Sequence, residues 1–97
     1  VNKRRYNTPT VSKKITITNV KGLHARPAAK LVKTANKFDA DVYITKGSST
    51  VDGKSIMSVM TLAAAKGEQI TVKAVGPDAK EAVTSISKLV KSKFFEE

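Results

Sequence analysis

Residues 39–53, DADVYITKGSSTVDG, set two short strand patterns on either side of a glycine. Val42 and Ile44 alternate with polar neighbours over residues 39–47, and a shorter strand centres on Val51, so Gly47 joins them in a hairpin. A connection this short forces antiparallel pairing, because a parallel crossover needs roughly a dozen residues or more. The hairpin therefore excludes a sheet wound in one direction, and the rest of the chain has to pack around it.

The flanking segments change period in a readable order. VSKKITITN, residues 11–19, puts Val11, Lys13, Ile15 and Ile17 on one side and Lys14, Thr16 and Thr18 on the other, the pattern of a strand with one buried face. After the turn VKG the period lengthens. Ala28, Leu31, Val32, Ala35 and Phe38 fall on one helical face, with Lys30, Lys33 and Lys37 toward solvent. KSIMSVMTLAAAKG carries a short helix that Gly67 is expected to help end, and EQITVKAVG a fourth strand with Ile70, Val72 and Ala74 inward. PDAKEAVTSISKLVKSKF is the clearest helix. Asp78 and Glu81 stand at capping-box spacing, and Ala79, Ala82, Val83, Ile86, Leu89, Val90 and Phe94 form its buried stripe. The predicted order is β-α-β-β-α-β-α, an α+β chain in two layers, with the helices covering one sheet face.

Composition narrows the class. Ninety-seven residues suit one domain, taken as residues 11–97, preceded by a flexible basic extension over residues 1–10, VNKRRYNTPT. The absence of cysteine removes disulfides, thiolate chemistry and cysteine-based zinc sites. No apolar run is long enough to cross a bilayer, and no apolar segment follows the basic start to make a signal peptide, so a cytoplasmic protein without membrane insertion is expected. With one histidine and no paired carboxylates near it, no metal is expected. DGKS is too short to count as a phosphate-binding loop, and no cofactor is expected. The net charge of +10 invites an anionic partner. The lysines are spread over every element without interleaved aromatics, which lacks the stacking platform of a single-strand binder; a small basic nucleic-acid-binding module remains the alternative from another class.

The single histidine, His24, falls in NVKGLHARPAAKLVKTANKF where the turn gives way to the first helix. With His24 at the N-cap, Ala25, Arg26 and Pro27 occupy the first turn, where proline forfeits no intrahelical bond. The free amides and the helix dipole favour an anion there, and the dipole disfavours imidazolium, keeping a ring lone pair for attack. Arg26 offers a rigid fork of donors to a phosphoryl group, and Gly22 permits a tight turn. On these residues alone, a phosphoryl acceptor and a plain helix cap beside an arginine both stand. Ser55, just before an apolar helical run, reads as an N-cap.

GLHARPA at residues 22–28 and GKSIMSVM at residues 53–60 together resemble the histidine-containing phosphocarrier family, HPr, of the bacterial sugar phosphotransferase system. The resemblance implies an open-faced β-sandwich, with a four-stranded antiparallel sheet covered by three helices. It implies that His24 takes a phosphoryl group on Nδ1 from the phosphoenolpyruvate-charged first enzyme and passes it to sugar-specific IIA proteins or domains, with Arg26 stabilising it. Such a chain is a phosphoryl-transfer intermediate that does not turn over alone. The resemblance also implies phosphorylation of Ser55 by an ATP-dependent HPr kinase/phosphorylase, and it adds a transcriptional regulator as a partner of a monomeric chain. Ile56, Met57 and Met60 would form a soft docking patch rimmed by Lys30, Lys33 and Lys54. A nitrogen-related regulatory phosphocarrier is the rival within the family. The basic charge and the extension depart from a family whose members are often acidic.

Overall fold

A computed structural model describes residues 9–95. Its strands are β1 (Thr10–Thr16), β2 (Asp41–Lys46), β3 (Ser49–Asp52) and β4 (Gln69–Val75). Its helices are α1 (Ala25–Ala35), α2 (Ile56–Thr61) and α3 (Ala79–Lys91), followed by a 3-10 turn over Lys93–Phe95. The predicted order is thus found, with most of the basic extension lying outside the described residues. The strands form one antiparallel sheet in the order β1-β4-β2-β3.

Period-two alternation fixes which side of the sheet is dry. Ile15 pairs with Ile70, Ile44 with Val72 and Val42 with Ala74, and all six are buried on the helical side. Helix α3 packs on β1 and β4, while α1 packs on α2 and α3. The stripe read from the sequence closes this core, since Leu31, Val32, Ile86, Leu89 and Val90 are all buried. Burying a Val, Leu or Ile side chain is worth about 1.5–3 kcal/mol, and this aliphatic layer is what holds helices to sheet. Val11 is only half-buried and Lys13, in the same inward register, is exposed. Both lie on an edge strand, where a lysine also discourages pairing with another chain.

Four local expectations are corrected. Asp78 precedes α3 but makes no side-chain cap bond. Its carboxylate instead accepts the amides of Asp39 at 2.9 Å and Ala40 at 2.8 Å, in the bend before β2, where those donors need acceptors. The Asp39 amide, chiefly, holds the Asp78 carboxyl below its ordinary range. Helix α2 ends at Thr61 with a left-handed Ala63 (φ 48°), so Gly67, further along the loop, is not its stop. Helix α3 ends at Lys91. Phe94 is buried as expected, but it arrives through three successive left-handed residues, Lys93, Phe94 and Phe95. Lys30, placed toward solvent by periodicity, is half-buried and donates to the Phe94 carbonyl at 2.6 Å. Gly47 behaves as predicted, with φ 60° in the β2–β3 turn.

Candidate functional site

The turn before α1 is rigid for reasons visible in its residues. Asn19 is fully buried; its side-chain amide donates to the Gly22 carbonyl at 2.8 Å, and the Gly22 amide returns to the Asn19 carbonyl at 3.2 Å. Gly22 has φ 65° and lies against the α2–β4 loop so closely that a Cβ would sit 2.2 Å from the Ala64 carbonyl oxygen. Only glycine meets both conditions. Leu23, buried, then donates its amide to the same Ala64 oxygen at 2.8 Å.

His24 follows as the N-cap of α1, with extended backbone (φ −79°, ψ −171°). Its carbonyl accepts the first helical bond from Ala28 at 3.0 Å. Helix geometry leaves the amides of Ala25 and Arg26 without intrahelical acceptors, and Pro27, buried at the third position, has none to satisfy. The His24 ring is half-buried, with Nε2 out of solvent contact.

His24, Arg26 and Lys30 share one shallow depression of about 830 Å³, together with Val20, Lys21, Ala25 and Phe95. Among the described residues its lining carries three cations and no carboxylate. Such a hollow, facing the start of a helix, is suited to an anion. Lys21 and Phe95 were not singled out in the sequence. A lysine inside the turn that feeds the N-cap was a legible signal for the first. Nothing in the sequence signalled the second, because a left-handed turn brings it there.

The remaining candidates lie outside this hollow. Ser55 is the N-cap of α2, and its Oγ accepts the Ser58 amide at 3.2 Å. Ile56, Met57 and Met60 are 42%, 76% and 38% exposed, while Val59 and Leu62 turn inward, so α2 does present an apolar strip. Lys33 is exposed on α1. Lys54 is not a free rim cation: its ammonium is half-buried against the Phe38 carbonyl at 2.7 Å.

A family described as the PTS HPr component phosphorylation site matches residues 11–92. The chain belongs to the HPr family. An HPr from Vibrio cholerae is 44% identical over 78 residues, 80% of this chain and 92% of the relative. One from Neisseria meningitidis is 45% identical over 82 residues, 84% and 92% of the two chains. Among solved structures, HPr from Thermoanaerobacter tengcongensis superposes with a TM-score of 0.87 at 41% identity, covering 90% of this chain and 98% of that one. HPr from Bacillus anthracis gives 0.80 at 43%, covering 84% and 96%. The family is that of the phosphocarriers of the phosphotransferase system, and HPr structures share the β-α-β-β-α-β-α sheet-and-helix plan described above. No helix among the described residues is long and apolar enough to cross a membrane.

Proposed function

We propose that His24 accepts a phosphoryl group on Nδ1 from the phosphoenolpyruvate-charged first enzyme of a sugar phosphotransferase system and passes it to IIA proteins or domains. The observation that carries this reading is the placement of a half-buried imidazole at the start of α1, in a hollow that it shares with Arg26, Lys21 and Lys30. Nε2 is out of solvent contact, which favours Nδ1 as the attacking nitrogen. Its lone pair forms the N–P bond as the bond from phosphorus to the donor breaks, and the donor atom keeps that electron pair. The amides of Ala25 and Arg26 and the Arg26 guanidinium then face the oxygens of the transferred group, which carries its negative charge into a lining that holds three cations and, among the described residues, no carboxylate.

The chain itself is consumed and regenerated by its partners and turns over nothing alone. One imidazole per chain suffices, so a monomer in the cytoplasm can do the work. The exposed strip of Ile56, Met57 and Met60 serves as a docking surface, and methionine adapts to more than one partner face. Ser55 is the site at which an HPr kinase/phosphorylase regulates transfer, and a transcriptional regulator belongs to the partner set on the same family grounds.

Incubation with phosphoenolpyruvate and a first enzyme should add one phosphate by intact mass, labile to acid and stable to alkali. His24→Ala should abolish it, since no second histidine exists in the chain. A IIA acceptor should then discharge the phosphorylated parent. A phosphate that survives in His24→Ala, or no modification by a competent donor, would overturn this function.

A further inference from the structure

The loop between α2 and β4 is gathered around one ammonium. Lys46, the last residue of β2, places Nζ 3.1 Å from the Leu62 carbonyl, 3.3 Å from that of Ala63 and 3.1 Å from Glu68 Oε1. Three oxygens thus meet the three donors of a lysine. Glu68 Oε1 also accepts the Ala65 amide at 2.7 Å. That amide first, and Lys46 next, hold the carboxyl of Glu68 below its ordinary range. Ala63 sits inside this ring of bonds in a left-handed conformation that a residue with a Cβ adopts unwillingly, so the loop needs an external hold.

The same loop grips the segment that leads to His24 at both ends. At its start the Ile17 amide donates to the Glu68 carbonyl at 2.9 Å, and the Gly67 amide donates to the Ile17 carbonyl at 2.8 Å. At its end Leu23 hangs on Ala64, with Gly22 pressed against the same carbonyl. Between those grips runs the turn of residues 18–22, and His24 is the next residue after Leu23.

We propose that Lys46 and Glu68 are positioning residues for phosphoryl acceptance. They fix the shape of residues 62–68, and the Ala64 carbonyl in that loop fixes Leu23 and so the place of the His24 ring over the start of α1. Neither side chain lines the hollow around His24. Their effect passes through the backbone, and small misplacement of a reacting group lowers a rate steeply. The proposal rests on His24 being the acceptor.

The test uses the full chain with Lys46→Met, which keeps the stem and removes the donors, Glu68→Ala, which removes the second half of the clamp, and Lys46→Arg, which restores a cation. Two quantities are read: amide hydrogen exchange at Leu23, with no donor present, and the single-turnover rate of phosphorylation from the first enzyme. Lys46→Met and Glu68→Ala should each speed Leu23 exchange and lower the saturated transfer rate, both by about tenfold, with the half-saturating concentration unchanged. Lys46→Arg should restore most of both. If Lys46→Met does not fold, Glu68→Ala decides by the same two readouts. Unchanged exchange and rate in the folded variants would overturn the proposal, as would a slower rate with Leu23 exchange at the parental value. Failure of the parent to take phosphate would strike the His24 reading instead, and the hold of the clamp on Leu23 would still be visible in the exchange data.

Discussion

Lys30 reaches from the middle of α1 to donate its ammonium to the Phe94 carbonyl at 2.6 Å, and the same ammonium stands 6.0 Å above the centre of the Phe95 ring. One side chain therefore ties the left-handed turn after α3 to the first helix and holds Phe95, 76% exposed, at the edge of the His24 hollow. Removing the donor while keeping the stem, as Lys30→Met, should release that turn. The expected loss is about 1 kcal/mol of stability, the scale of one net hydrogen bond, read by denaturant titration. Amide exchange at Phe95 should accelerate more than exchange in α3. Parental exchange at Phe95 would show that the buried Phe94 ring alone anchors the turn.

The Asp78 carboxylate gives a second, pH-dependent prediction. Its pKa in the folded chain is lowered from 3.8, first by the Asp39 amide and also by that of Ala40. A depressed folded pKa means that the unfolded chain binds the proton more readily, so this contribution is complete above 3.8 and disappears as pH falls through the folded value. Asp78→Asn should lower stability at neutral pH and flatten the acid side of the stability profile. Equal steepness in parent and variant between pH 5 and 2 (roughly, the window in which such carboxyls titrate) would show that the two amide bonds contribute no linkage.

Much of this architecture was legible because period and burial are the same fact seen twice. Val42, Ile44, Ile70, Val72 and Ala74 announced the dry face of the sheet, and the stripe from Ala79 to Val90 announced the helix that covers it. His24 at the N-cap was legible from Gly22 before it and Pro27 after it, a pair that a turn entering a helix accommodates. Long polar side chains were not legible. Periodicity places Lys30 toward solvent, the capping rule gives Asp78 a local task and Lys54 was read as a rim of the docking patch, yet each serves a backbone group distant in the chain. Such partners depend on which loops the fold brings near, and a lysine stem reaches far enough that helical phase does not fix its head. Phe95 escaped for the related reason that a left-handed turn of non-glycine residues has no sequence signature.

Ser55 carries two separable consequences. As the N-cap of α2 it accepts the Ser58 amide, so Ser55→Ala should cost about 1 kcal/mol in stability, measured by thermal or chemical unfolding. A phosphate on its Oγ would add a nearly double negative charge next to the exposed strip of Ile56, Met57 and Met60. Ser55→Asp should therefore retain the cap and slow transfer from the first enzyme mainly by weakening encounter. Kinetics against donor concentration would show this as a raised half-saturating concentration. An unchanged value would separate the capping role of Ser55 from any effect on docking.

Arg26 is the sharpest test of how the hollow handles charge. It is exposed on the first turn of α1 and lines the depression beside His24, so its removal leaves core packing untouched. Arg26→Ala should fold with parental stability, because the side chain lies outside the buried core. Transfer should nevertheless slow, since the guanidinium fork meets charge that spreads over the phosphoryl oxygens as the bond to the donor breaks. Loss of such a donor costs about 2.7–4 kcal/mol in the transition state, a fall on the order of 10²–10³ in the single-turnover rate. The two lysines of the hollow, Lys21 and Lys30, bound that loss from above, because they leave positive charge behind when Arg26 is gone. Arg26→Lys should recover only part of the rate, as an ammonium supplies charge without the planar fork. Equal forward and reverse rates in parent and Arg26→Ala would reduce Arg26 to a surface cation and leave the helix amides as the holders of the phosphoryl group.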